Sequence, residues 1–121
     1  MPKWTIEEAR EHYNISGWGA GYFDINPKGN IVVRPNHQNK HDIDLKDLVD
    51  DIQSKGYSLP VLIRFSDILK ASIANLANSF QRSIEEYEYK GKYHGVYPIK
   101  VNQQRQVVEE IVKFGQPYNI G

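Results

Sequence analysis

From Pro60 to Ile120, strand-length apolar runs alternate with helix-period stretches, and this alternation limits the possible folds more than any other feature. Pro60-Val61-Leu62-Ile63-Arg64-Phe65 reads as a short apolar strand. Leu69, Ile73, Leu76, Phe80, Ile84 and Tyr87 follow at three- and four-residue steps, the spacing of one helix face, with Ser66 as its cap and Gly91 as its break. Tyr93 to Val101 reads as a second strand. Asn102 or Gln103 then opens another helix, with Val107, Val108, Ile111, Val112 and Phe114 inward, Gly115 at C′ and Pro117 as its stop. Tyr118-Asn119-Ile120 begins a third strand. Strand, helix, strand, helix, strand implies parallel strands joined by helical crossovers.

Parallel sheets are stable only with both faces covered. The closed parallel α/β barrel needs eight strands, and this stretch supplies only its opening ones. Residues 59–121 are therefore expected to be the first βα units of a larger α/β fold, cut short.

The first half reads differently. Thr5-Ile6-Glu7-Glu8 fits a capping box, with Ile6, Ala9 and Tyr13 along one side of a short helix that Gly17, Gly19 and Gly21 end. Tyr22–Ile25 and Ile31–Val33 look like two strands of a β-hairpin, turned by Asn26-Pro27-Lys28-Gly29-Asn30 and closed by Pro35. Asn36 to Asp42 is polar, carries His37 and His41, and is expected to be a surface loop. Asp44 caps the next helix, Leu45, Leu48, Val49 and Ile52 form its buried stripe, and Gly56 suits its C′ position. Residues 1–58 thus form an N-terminal extension of helix, hairpin and helix.

Composition removes several classes of function. The absence of cysteine excludes disulfides, thiolate metal sites and cysteine nucleophiles. Lys plus Arg and Asp plus Glu balance at 15 each, so no global field draws the chain to nucleic acid or to an anionic membrane. No apolar run approaches membrane-spanning length. Glu7 and Glu8 near the start argue against a targeting peptide, and a cytoplasmic protein is expected.

Chemistry concentrates in Tyr97-Pro98-Ile99-Lys100-Val101-Asn102. Alternation sets Pro98, Lys100 and Asn102 on one side of the strand, with Lys100 near its carboxyl end, where parallel α/β barrels carry their active sites. A buried, unpaired ammonium costs several kcal/mol, so a dry site there favours the neutral amine that attacks an aldehyde. Most strand-end lysines instead point into water, and position alone leaves both readings open. Pro98 cannot donate to a ladder and predicts an irregularity just before Lys100. Other candidates are weaker. His37 and His41 lie in a loop, where a solvated pair is the simpler reading than a metal site. His94 shares the parity of Lys100, Glu85, Glu86 and Glu88 read as a solvated helix end, and Trp4 and Trp18 read as core or interface aromatics. Gly17-Trp18-Gly19-Ala20-Gly21 does not follow a strand and open a helix, so it is no phosphate loop.

Three blocks carry a family resemblance: Trp18-Gly19-Ala20-Gly21-Tyr22-Phe23-Asp24-Ile25-Asn26, the run from Leu59 to Leu69, and Tyr93-His94-Gly95-Val96-Tyr97-Pro98-Ile99-Lys100-Val101-Asn102-Gln103-Gln104. In this order they closely resemble the biosynthetic arginine decarboxylases, and the likeness runs from Trp4 to Gly121. The resemblance implies an alanine-racemase-like fold, a (β/α)8 barrel plus a β-domain to which the early hairpin would belong. It implies that Lys100 is the catalytic and cofactor-binding residue, holding pyridoxal phosphate as a Schiff base. It further implies decarboxylation of L-arginine to agmatine, the first step towards putrescine and spermidine, a magnesium requirement, and a dimer or tetramer. Family members are several times longer. The phosphate-binding loop, the partner of the pyridine nitrogen and the substrate-binding acids would lie elsewhere, and this chain alone is expected to be inactive. Two other readings stand beside this one. The first is a related pyridoxal-phosphate decarboxylase or racemase of the same fold, against which Asn102-Gln103-Gln104 favours the arginine branch by resemblance. The second is a short non-catalytic module that binds a partner.

Overall fold

A computed structural model describes residues 3–37 and 41–121. The middle of the polar loop expected at Asn36–Asp42 lies outside the described residues. The chain forms two compact units, Met1–Arg64 and Phe65–Gly121.

In the first unit, Thr5 caps α1 (Ile6–His12) through a complete capping box: its hydroxyl accepts from the Glu8 N–H at 3.2 Å and its own N–H donates to the Glu8 carboxylate at 2.7 Å. The Thr5 hydroxyl also donates to the Glu8 carboxylate at 2.7 Å, and this bond, with that from the Thr5 N–H, holds the Glu8 carboxyl below the usual carboxylate range. The glycines after α1 do not end the helical region. Asn14 turns the chain with a left-handed φ of 49°, and a second short helix, α2 (Ile15–Gly19), includes Gly17 and Gly19. Burial of Ile15 and the contact of the Trp18 ring with Phe23, 5.3 Å between centroids, outweigh the poor helix propensity of glycine.

The hairpin forms as expected. β1 (Phe23–Ile25) pairs antiparallel with β2 (Ile31–Val33), Phe23 opposite Val33 and Ile25 opposite Ile31. Asn26 organises the turn, its side-chain oxygen accepting from the N–H groups of Lys28 and Asn30, and Gly29 supplies φ +85°. A further strand that the sequence reading missed, β3 (Ile43–Asp44), completes a three-stranded sheet in the order β1-β2-β3. Asp44 then caps α3 (Leu45–Ser54), accepting from the N–H groups of Lys46 and Asp47. At the other end the Gly56 N–H donates to Gln53 O and the Tyr57 N–H to Ile52 O, a Schellman closure with Gly56 at φ +89°. The stripe Leu45, Leu48, Val49 and Ile52 is half-buried rather than fully buried. The unit's core is Ile15, Tyr22, Ile25, Val32 and Val33, the last fully buried.

The second unit packs α4 (Ser66–Glu86) on α5 (Arg105–Gly115). Ile73 and Ala77, one turn apart, meet Val107, Ile111 and Ile120. The buried line of α4 is narrower than the apolar periodicity suggests: Leu76, Phe80 and Tyr87 stay largely exposed. Ser66 is the first helical residue rather than a cap, and its hydroxyl donates instead to the Glu110 carboxylate on α5. α4 ends at Glu86, before Gly91, where Glu88 takes φ +50°.

Two expected strands are corrected. Residues 60–64 form no regular secondary structure and pair with no strand among the described residues. Within 93–101 only Gly95 bridges, to Ile120, and residues 99–101 form a turn. That bridge is parallel, as the crossover argument requires. The Gly95 N–H donates to Asn119 O, the Gly121 N–H to Gly95 O and the Tyr97 N–H to Gly121 O, at 2.7–3.1 Å. Gly115 is not a C′ glycine. Its φ is −81°, and a 3-10 turn, Gln116–Tyr118, continues past it and includes Pro117. A Cβ at Gly115 would lie 2.5 Å from Ile120 O, so close approach explains this glycine.

Candidate functional site

Lys100 lies in the connection between the parallel pair and α5, in a turn rather than on a strand. The chain leaves the pair at Tyr97, and Pro98 has no N–H with which to extend the ladder. The Val101 N–H then donates to Pro98 O at 3.0 Å, closing the turn. Asn102 fastens its far end: its side-chain oxygen accepts from the Gln104 N–H at 3.0 Å, and its carbonyl accepts from the Tyr97 hydroxyl at 3.0 Å. α5 starts at Arg105, three residues later than the earliest start read from the sequence. The connection after the carboxyl end of a parallel strand is where α/β folds build ligand sites.

The surroundings of Lys100 are apolar and open. Lys100 is exposed and forms no ion pair or side-chain hydrogen bond among the described residues. Val96, Ile99 and Val101 near it are 83%, 54% and 75% exposed. His94, read as a possible neighbour, is exposed as well.

The remaining candidates stand apart from this turn. The His37 ring packs on Tyr22, 3.9 Å between centroids and tilted by 37°. Among the described residues no three His, Asp or Glu side chains converge on a possible metal position. Trp4 and Trp18 are more than half exposed and line an open apolar cavity of about 610 Å³ with Ile6, Tyr13, Ile25 and Ile31. They are walls of a groove rather than core residues. Glu85 accepts from Gln81 on an exposed face of α4.

The strongest electrostatic cluster was not foreseen. Asp24 on β1 receives Arg10 Nε at 2.7 Å and Arg34 Nη1 at 2.9 Å, and Arg34 also grips Asp42 at 3.0 Å. Burial pushes the Asp24 carboxyl up, but the Ile25 N–H and the two guanidiniums outweigh it and hold it below the usual carboxylate range. Hydrogen bonds to Asp24 and Asp42 respectively raise Arg10 and Arg34 further. Asp44 is held low as well, chiefly by the Asn30 amide, with help from Asn26. Every charge in the Asp24 cluster has its partner, which makes it a brace joining α1, β1 and the segment after β2 and leaves it no unpaired group for a ligand.

No protein-family model matches the chain. Among curated proteins it is 54% identical over all 121 residues to a protein named biosynthetic arginine decarboxylase from Gloeobacter violaceus. It is 50% and 49% identical, again over all 121 residues, to proteins of the same name from Geobacter sulfurreducens and Phocaeicola vulgatus. The chain spans 19% of the length of each of these relatives. No helix among the described residues is long and apolar enough to cross a membrane.

Proposed function

We propose, from the relation of the whole chain to the biosynthetic arginine decarboxylases, that these 121 residues are a segment of such an enzyme and carry its cofactor lysine, Lys100. The observation that supports the reading is 54% identity over all 121 residues, Lys100 among them, together with the place of that lysine in the turn that follows the parallel bridge of Gly95 to Ile120. On this reading the substrate is L-arginine, the product agmatine, and the reaction opens a route to polyamines. The second unit is the beginning of a (β/α)8 barrel and the first unit an extension beside a β-domain, in a cytoplasmic homo-oligomer. The absence of cysteine fits a reducing compartment.

The residues present fit pyridoxal phosphate in one respect, an exposed primary amine with no competing partner among the described residues. When bound, that cofactor supplies an aldehyde that condenses with amines and a ring that accepts the electrons left when carbon dioxide departs. Lys100 would hold it covalently and release it when the substrate amine takes its place. Val96, Ile99 and Val101, once covered, would keep water from the amine, and a drier amine spends more time in the neutral, nucleophilic form. Groups for the phosphate, the pyridine nitrogen and the arginine side chain would come from the four-fifths of the relatives' length outside this segment. The described residues do not fit a magnesium site, since no three acidic or histidine side chains converge.

The test uses an enzyme of the relatives' length that carries this segment. Lys100→Ala is expected to abolish both the visible absorbance of the bound cofactor and the turnover of arginine. A variant that keeps the band holds the cofactor through another lysine, and the assignment fails.

A further inference from the structure

We propose that Tyr97 is a positioning residue for the Lys100 amine, its hydroxyl clamping the turn that carries the lysine. The inference rests on the reading of Lys100 as the cofactor lysine. Tyr97 is fixed at two other points. Its N–H donates to Gly121 O at 2.7 Å, and its ring packs against the cluster of Ile73, Ala77, Val107 and Ile111. As the residue before Pro98 it is confined to extended backbone, which keeps the ring aimed at that cluster. The hydroxyl then reaches past the turn to the Asn102 carbonyl at 3.0 Å.

Lys100 lies between the two ends of this clamp. No side-chain bond among the described residues holds its stem, so the placement of its Cα decides where its amine can go. Within residues 98–101 the bond from the Val101 N–H to Pro98 O closes the turn beside the clamp. Asn102 passes the constraint on to α5 by accepting from the Gln104 N–H. Reactive groups displaced by about 1 Å can lose about a hundredfold in rate, so one bond that fixes this turn has leverage on the chemistry.

Tyr97→Phe keeps the ring and removes only the clamp. Loss of one such bond corresponds to about a three- to tenfold easier opening of the turn. In the chain, the amides of Val101 and Gln104 are expected to exchange with solvent faster by that factor, while those of Ile73 and Ile111 stay unchanged. In an enzyme of the relatives' length, uptake of pyridoxal phosphate followed by its visible band is expected to slow, and kcat to fall more than KM rises. Faster exchange spread evenly over the turn and the helices, or a variant that does not fold, makes the hydroxyl a general support of the fold and overturns the proposal. The reading beneath it fails separately: Lys100→Ala that retains the band sinks the lysine assignment and this inference together. Loss of the band in Lys100→Ala, with cofactor uptake and turn exchange unaltered in Tyr97→Phe, overturns the positioning role alone.

Discussion

Gly115 offers the sharpest test of how the second unit is held together. It sits at the end of α5 with φ −81°, a conformation open to any residue, so Gly115→Ala should gain helix propensity of about 1 kcal/mol. Against that gain stands the Ile120 carbonyl, 2.5 Å from where the new Cβ would lie, with Ile120 Cβ at 2.9 Å. Ordinary carbon contacts begin near 3.5 Å, so the backbone at Ile120 must retreat by about 1 Å. The same backbone pairs with Gly95 and Tyr97 through the three bonds of the parallel pair, each contributing about 1 kcal/mol. Overpacking costs about 1–3 kcal/mol, and weakening one or two of those bonds adds to it, so the clash outweighs propensity and the net loss is about 2 kcal/mol. For a unit of this size that corresponds to a fall in Tm of roughly 10 °C. Thermal melts by far-ultraviolet circular dichroism, with amide exchange at Val107 and Ile111, would measure it. Gly115→Asn separates the two roles a helix-end glycine can play. A left-handed C′ position tolerates asparagine better than alanine, whereas a crowded one tolerates it worse. A Gly115→Ala chain as stable as its parent, or an asparagine variant more stable than the alanine one, would refute the close-approach argument.

Two further outcomes follow from the packing and the charges. Ile111→Ala should cost about 3 kcal/mol by emptying the centre of the α4–α5 contact, while Val112→Ala, at a position 55% exposed, should stay within about 0.5 kcal/mol of the parent; equal urea midpoints for the two variants would contradict the observed helix face. The Asp24 carboxyl is held low in the folded state, so its contribution to stability is fully present above the ordinary carboxylate range near pH 4 and is lost as pH falls through the lower folded value. Glu8 and Asp44 act in the same direction. The urea midpoint followed by the fluorescence of Trp4 and Trp18 should therefore drop between pH 7 and pH 3, and drop less in Asp24→Asn; an identical drop in both would remove Asp24 from the acid response.

What could be read from the sequence was local. The Thr5 capping box, the Asp44 cap, the Gly56 closure and the Asn26–Asn30 turn each depend on residues within about five positions, and each forms as expected. What could not be read depends on distant partners. β3 has only two residues, too few for alternation to show, and the double role of Asp44, capping α3 while receiving the Asn26 and Asn30 amides, leaves no periodic trace. Arg10, Arg34, Asp24 and Asp42 look in the sequence like ordinary surface charges, and only the sheet brings them together. Apart from Arg64 and Lys100, residues 60–64 and 98–101 have apolar side chains, and their β-branched members suit strands, but such preference records fit to a neighbouring strand, and none pairs with them among the described residues. Lys100 itself was marked by its place in the alternation and by the family resemblance; the tyrosine clamp beside it had no signal beyond the Tyr-Pro pair.

The same dependence on distant partners governs the chemistry. A lysine that condenses with an aldehyde needs surroundings that favour the neutral amine, and exposure to water favours the charged one. Here Val96, Ile99 and Val101 leave 83%, 54% and 75% of their surface uncovered around the turn of Lys100. Exposed apolar side chains gathered in this way are a contact surface in search of cover. On the proposed reading, covering them and drying the amine are one event. The parallel bridge, the turn and the tyrosine clamp decide where the amine stands, and the elements that cover this rim decide whether it reacts. The two contributions separate experimentally: a clamp variant should alter the placement and exchange of the turn in this chain as it is, while the reactivity of Lys100 should rise only when the rim is covered. A turn that is already selectively reactive at Lys100 with its rim bare would break that division.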